Sequence, residues 1–519
     1  MNALNIILSI FLLISLLLDY LWSLQKGNSF DIVRKMGIGY NLANTFDSFS
    51  DFSDFETPDE QIEFNGNKAP NEDMIKKLKK YGFKTIRFPV TWMYFIDDEG
   101  NIKSEWMVRV KEVVDIIINE KLYCILNIHN DGFYDGWLER GMEVIDKYIN
   151  LWTQIAREFK DYNEYLIFES MDKVFFYDYI NYDFDYTTLT TFNQAFVDTI
   201  RNTGGNNIER LLIVAGANDE FQMTCTSDYK MPVDQSNKLA VSIHYLEPFN
   251  FIYNTYFEPY NWTDSNGFTY TEGPALKWGN SMEYQKVIED FELMKSYFLD
   301  KGIPIIINKV GVLTEEKKEI ESIREYLYMI FSISSNYEGI TCCLWDTSNK
   351  LFGDMNFYDR INDIWYDEKI NNNFLQISKG KYIKPKDYYI NTTFESYDAL
   401  YSSADLLIDI ENKKVLKIII NARITGVLFV DFDLEVRIYD MNNNVKKIFF
   451  GKENSKRQYD GTYIFTIDTS KIECNSLVEV IATRGPEYIT FNNFTLEYEE
   501  SFLSFDYKSF KNAIVNYIY

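Results

Sequence analysis

Residues 71–89, NEDMIKKLKKYGFKTIRFP, hold a complete structural unit. Met74, Ile75, Leu78 and Tyr81 recur at helical spacing and make one apolar stripe behind Asn71, a residue type that caps helix amino termini. The spacing predicts a helix over 71–81, followed at 85–89 by a short apolar strand that carries Arg87 near its end.

The unit repeats in both directions. Strands are expected at 38–42, 85–89, 123–128, 166–169, 211–215, 240–244, 305–307 and 341–345, with further helices near 105–120, 144–159, 188–201, 282–299 and 315–335. Short apolar strands alternating with helical segments mark βαβ units on a parallel sheet. Eight of them predict an α/β protein built as a (β/α)8 TIM barrel over residues 28–380. Reactive groups in such barrels sit at the carboxyl ends of the strands. Arg87, His129, Glu169, Lys173, His244, Lys309 and Trp345 all fall at or just past a predicted strand end.

After residue 385 the helical period stops. Alternating runs at 405–410, 415–422, 427–439, 446–450, 462–467, 477–482 and 488–498 predict a C-terminal antiparallel β-sandwich over 385–500, with a tail at 501–519. Such a domain behind a barrel resembles a carbohydrate-binding module; a sandwich that only braces the barrel is an equal alternative.

With 519 residues the chain can bury a large core, and 39 Tyr and 40 Phe exclude a disordered chain. A formal net charge of -26 repels nucleic acid and gives no electrostatic attraction to anionic membranes, whereas a neutral polysaccharide is indifferent to it. The apolar run at 6–18 is shorter than the roughly 20 residues of a membrane span. It is read as part of a signal peptide over 1–24, which implies a secreted, extracellular protein with no membrane segment in its mature form; an uncleaved anchor is the alternative. Sequons at Asn261, Asn391 and Asn493 suit that route. The five cysteines form neither a disulfide framework nor a zinc-ligand spacing, and Cys124, Cys342 and Cys343 lie in apolar runs as small hydrophobes. No metal or cofactor is expected, and the chain is expected to be a monomer.

Seven phrases occur in a telling order: GIGYNLANTFD at 37–47, TIRFPVTW at 85–92, ILNIHNDG at 125–132, LIFESMDKV at 166–174, VSIHYLEPF at 241–249, IPIIINKVG at 303–311 and CLWD at 343–346. Together they resemble the glycoside hydrolase family 5 cellulases over roughly residues 30–380. The resemblance implies a retaining endoglucanase-like protein of polysaccharide catabolism, acting on a β-glucan or related plant polysaccharide.

Retaining hydrolysis needs two carboxyl groups about 5–5.5 Å apart, one protonating the leaving oxygen and one attacking the anomeric carbon. The family's acid/base glutamate follows an Asn after the fourth strand, which here reads Asp172-Lys173; its nucleophile ends the seventh strand, which here reads Lys309. An ammonium with a pKa of about 10.4 is a poor acid for a glycosidic oxygen, cannot attack the sugar, and opposes an oxocarbenium-like transition state. Three further departures accompany the lysines. Asn130 replaces a second histidine, Leu246 replaces a Tyr that supports the nucleophile, and Ala43 replaces a glycine.

Arg87, His129, Asp172, His244 and Trp345 occupy the family's substrate-facing places, with Trp345 expected to stack on a pyranose face. Trp92, Tyr134, Trp137 and Trp262 would widen the cleft, although a Trp or Tyr in so aromatic a chain more often packs than binds sugar. Two ammonium groups about 5 Å apart would repel by about 3 kcal/mol at an effective dielectric near 20. At least one lysine is therefore expected to pair with Glu169, Asp172, Asp131 or Glu247, and an unpaired one to have a lowered pKa.

Three functions compete. The first is a hydrolytically inactive or impaired family 5-like protein that still binds β-glucan. The second is an active endo-β-1,4-glucanase using a relocated carboxylate such as Glu169, Asp172 or Glu247. The third is an enzyme whose strand-end lysine forms a Schiff base with a carbonyl substrate.

Overall fold

The computed structural model describes residues 29–382 except 51–54, 98, 133–136, 179–182, 254–259, 264–268, 273–274, 280, 315–317 and 349–354, together with strands between 397 and 517. The proposed signal segment, Tyr134, and the side chains of Trp137, Trp262 and the three sequon asparagines lie outside the described residues. Among the described residues no helix is long and apolar enough to cross a membrane.

Eight parallel strands close into a barrel: β1 Gly39–Asn41, β2 Thr85–Phe88, β3 Tyr123–Asn127, β4 Leu166–Glu169, β5 Leu212–Glu220, β6 Leu239–His244, β7 Ile305–Val310 and β8 Ile340–Leu344. Each pairs with the next, and β1 pairs with both β2 and β8. The α-helices of eight residues or more among the described residues are α1 Ser29–Met36, α2 Glu72–Lys80, α3 Ser104–Asn119, α4 Ile145–Glu158, α5 Tyr186–Asn202, α6 Ser281–Tyr297, α7 Ile320–Asn336 and α8 Glu368–Ser378.

Local chemistry sets these elements. The Asn71 side chain accepts the Met74 N–H at 2.9 Å and caps α2, which buries Met74, Ile75 and Leu78. Asp185 caps α5 and Asp367 caps α8 in the same way.

Inward-facing residues fill the barrel in layers. The lower layer is apolar: Ile125, Ile167, Ile213, Ala240, Ile306 and Cys343 pack together, with Val33 and Met36 of α1 in the same cluster. Gly39 belongs here because a Cβ at that position would lie 2.4 Å from Cys343 Sγ. Gly39→Ala is therefore expected to destabilise the fold by about 1–3 kcal/mol, and Cys343→Ala in the same chain to recover much of that loss in denaturant titration. Cys124, Cys225, Cys342 and Cys343 are buried free thiols.

The chain divides into two compact units, one ending at Tyr382 and one comprising residues 383–519 with Gly279–Glu289. The second unit contains two five-stranded antiparallel sheets, one running from Tyr397–Leu400 through Tyr488–Tyr498, Val415–Thr425 and Thr462–Asp468 to Ser455–Arg457. The other runs from Val445–Phe450 through Asp433–Tyr439, Leu477–Arg484 and Ala404–Asp409 to Ala513–Tyr517. Residues read as tail thus supply an edge strand.

Candidate active site

Above the apolar layer the inward positions turn polar. Arg87 on β2 is fully buried; its Nε donates to Glu169 Oε2 at 2.7 Å, Nη1 to Asn41 Oδ1 at 3.0 Å and Nη2 to Asp172 Oδ1 at 2.5 Å. Glu169 also accepts from Asn127 Nδ2 at 3.0 Å and, on its other oxygen, from Asn308 Nδ2 at 2.6 Å. Asn41, Arg87, Asn127, Glu169 and Asn308, each from a different strand, thereby form one buried hydrogen-bonded floor beneath Asp172.

Over that floor stand His129, Asp172, His244, Lys309 and Trp345. Asp172 Oδ1 lies 3.3 Å from His244 Nε2 and 3.6 Å from His129 Nδ1. Burial raises the Asp172 carboxyl, but its contacts with His129, Arg87 and His244 outweigh it and hold the group well below the usual carboxylate range. Glu169 moves the other way, because desolvation exceeds the opposing pull of Arg87.

Lys309 owes its direction to a β-bulge. β7 pairs with β6 as Ile305 with Val241, Ile306 with Ser242 and Ile307 with Ile243, and then skips Asn308 so that Lys309 faces His244. Residues paired across a sheet share a face, so one extra residue aims both Asn308 and Lys309 at the barrel interior. The Lys309 Nζ lies 4.0 Å from the centroid of the Trp345 ring, in cation–π contact. Trp345 is also stacked against His129 with centroids 5.6 Å apart, and is only 8% exposed.

The expected ion pair is absent. Among the described residues neither Lys309 nor Lys173 has a carboxylate within ion-pair distance. Lys173 is exposed and needs no partner because water solvates it, while its backbone N–H donates to Asp219 Oδ2 at 2.7 Å. The acids proposed as partners are engaged elsewhere: Glu169 with Arg87, Asp131 with the Trp92 N–H at 2.9 Å, and Glu247 with Gln222 at 2.9 Å. Lys309 rests on an aromatic face instead. Desolvation pushes its amine down to about 8, with Arg87 and Lys173 adding to the shift and Asp172 and Asp47 opposing it.

Both histidines are neutral near pH 7. Burial pushes His129 down to about 3 and His244 down to about 4, with Asp172 opposing in each case. Since these are the chain's two histidines, imidazole NMR is expected to show no titration between about pH 5.5 and 7.5, unlike the ordinary pKa of about 6.5. Between about pH 6.5 and 4 the unfolded chain then binds the extra protons, so this pair lowers stability as pH falls through that window. An inflection near 6.5 in the folded protein would count against the burial argument.

Asp219 was not legible as a site residue. β5 runs past its predicted end to Glu220, and Asn218 and Asp219 take left-handed φ values of 50° and 51°. The turn places Asp219 against Ser242 Oγ at 2.8 Å, and burial followed by the Asp172 and Glu169 charges lifts its carboxyl to about 7. Asp172, Asp219 and His244 each offer a ligand atom within 4.8 Å of the others. That cluster fits a dication poorly, because Arg87 already holds Asp172 Oδ1 at 2.5 Å and the Lys309 charge reaches His244. Asn41, Asn127 and Asn308 were also missed, though Asn127 and Asn308 share the inward parity of Ile125 and Ile306. Trp92 is wholly buried, donates to the Asn127 carbonyl at 3.0 Å and is core rather than cleft wall.

Residues 44–351 match the cellulase (glycosyl hydrolase family 5) model, and the chain belongs to that family. It is 31% identical over 329 residues to endoglucanase A of Clostridium longisporum, a match covering 61% of this chain and 59% of that enzyme. A broad-specificity GH5-4 endoglucanase from an uncultured bovine rumen ciliate is 51% identical, with a TM-score of 0.64 over 68% of this chain and 98% of that one. A family 5 lichenase from Caldicellulosiruptor sp. F32, solved with cellotetraose, is 28% identical, with a TM-score of 0.59 over 67% and 95% of the two chains.

Proposed function

We propose that this protein is a secreted, non-hydrolytic member of family 5 that holds a β-glucan chain in the mouth of its barrel. The carrying observation is Lys309, aimed inward at the end of β7 where the resemblance places a nucleophilic carboxylate, with exposed Lys173 at the acid/base place. The nearby carboxylates are held by other groups: Glu169 under Arg87, Asn127 and Asn308, Asp172 by Arg87, and Asp219 by Ser242 and the Lys173 N–H.

Binding needs ring stacking and hydroxyl contacts rather than reacting carboxylates. A glucan must displace Lys309 from Trp345, and losing a cation–π contact of about 0.5–2 kcal/mol weakens binding roughly 2- to 30-fold. Lys309→Met is expected to recover that factor for cellotetraose in calorimetry. The parent chain is expected to release no more reducing sugar from soluble β-glucan than a heat-killed control. Clear hydrolysis by the parent, or no binding by either chain, would sink the reading.

The likeness to endoglucanases favours a second reading, hydrolysis by a relocated carboxylate. Asp172 is its best candidate, since Glu169 is enclosed and Glu247 is bonded to Gln222. Any residual activity must then vanish in Asp172→Asn. The second unit's two sheets are proposed to form a β-sandwich of carbohydrate-binding type, to be tested by retention on insoluble glucan.

A further inference from the structure

Among the described residues, Lys309 is an inward-facing functional group at the mouth that neither hydrolysis nor simple binding uses. Its amine stands at the carboxyl end of β7, opposite His244 in the sheet register and over the Trp345 ring. No hydrogen bond or ion pair holds it among the described residues. The groups whose charges act on it are Asp172, Arg87, Lys173 and Asp47, and they act in opposite directions.

An amine so placed reacts with carbonyls and not with acetals. Every internal sugar of a β-glucan is an acetal; the single carbonyl of the chain is C1 of its reducing end, in the open-chain form. We propose that Lys309 captures the reducing-end aldehyde of a β-linked glucose oligosaccharide as an imine in the barrel mouth. The ammonium first gives its proton to solvent. The freed Nζ lone pair then adds to C1 as the carbonyl π pair moves to oxygen, which takes a proton from the nitrogen; the carbinolamine loses that hydroxyl together with the remaining N–H proton as water, leaving a C=N bond with no change of oxidation state. The lowered amine pKa assists, since near pH 8 about half of such an amine is neutral against well under one per cent for an ordinary lysine at about 10.4. The inference rests on the reading that the mouth admits a glucan end.

The test incubates the full chain with cellobiose and sodium cyanoborohydride near pH 8, which reduces the imine to a stable secondary amine, followed by peptide mapping. Lys309 is expected to gain one reduced disaccharide roughly tenfold or more faster than exposed Lys173 in the same molecule, and Lys309→Arg to lose that adduct. A parallel reaction with formaldehyde needs no sugar site. If formaldehyde labels Lys309 early but cellobiose does not, this inference fails, and if calorimetry also detects no cellotetraose the binding reading fails with it. If calorimetry detects cellobiose and no adduct forms at Lys309, this inference alone is overturned.

Discussion

Arg87→Met is expected to lower the stability of the barrel by about 3–5 kcal/mol, the range for removing one partner of a buried ion pair. The methionine occupies similar length, so lost volume contributes little. What is lost is the only cation bonded to Glu169 and Asp172 among the described residues, in a layer where Arg87 is 0% exposed and makes three hydrogen bonds. A pH series separates this cause from a packing defect. In the parent, Asp172 is held below its ordinary pKa, so it adds stability above about pH 4 that is lost as pH falls through the folded value. Without Arg87, burial dominates both carboxyls and lifts them, and each can take up a proton in the folded state. The variant's deficit, read from urea titrations, is therefore expected to shrink between about pH 7 and 4.5. A constant deficit would mean that the methionine simply packs badly.

Much of this architecture is legible because strand position in a barrel follows from apolar periodicity. The fourth strand falls at 166–169 as expected, and the other seven begin within one residue of their expected starts. Site residues at ordinary strand ends, such as Arg87 and His244, inherit that legibility. Lys309 does so only in part. Its place at the end of β7 is readable, but its direction depends on the bulge at Asn308, which comes from the pairing of three strands and leaves no local mark. The pairing expected for the lysines failed for a related reason. Coulomb repulsion between two ammonium groups is large only when neither can reach water, and Lys173 is exposed. α1 went unread because its eight residues are too few for periodicity to stand out, yet Val33 and Met36 join the core at the barrel's lower layer.

Placing glutamate at both positions, Lys173→Glu with Lys309→Glu, is expected to raise hydrolysis of soluble β-glucan at least about 100-fold over the parent chain on the proposed reading, because loss of a nucleophile or its base costs more than that in hydrolases that use both. The floor beneath the site favours recovery. Arg87, Glu169, Asn127 and Asn308 are already bonded, so a carboxylate at 309 would be held at the mouth by the same bulge that aims the lysine. It would also exchange a cation that opposes an oxocarbenium-like transition state for an anion that supports it. Each single substitution is expected to stay silent, since it supplies one half of the two-carboxyl mechanism and leaves one ammonium beside the reacting bond. The pH profile of the double variant is expected to be bell-shaped, its acid limb from the carboxylate at 309 and its alkaline limb from the acid at 173. The Asp172 charge raises the second of these, which keeps that carboxyl protonated to higher pH. The vulnerable link is position 173, where the parent side chain faces solvent and Asp219 holds only the backbone N–H. A double variant that folds like the parent and still binds cellotetraose, yet releases no reducing sugar, would place the remaining loss at Asp172, Leu246 and Asn130. Adding Asp172→Asn would then test the first of these directly.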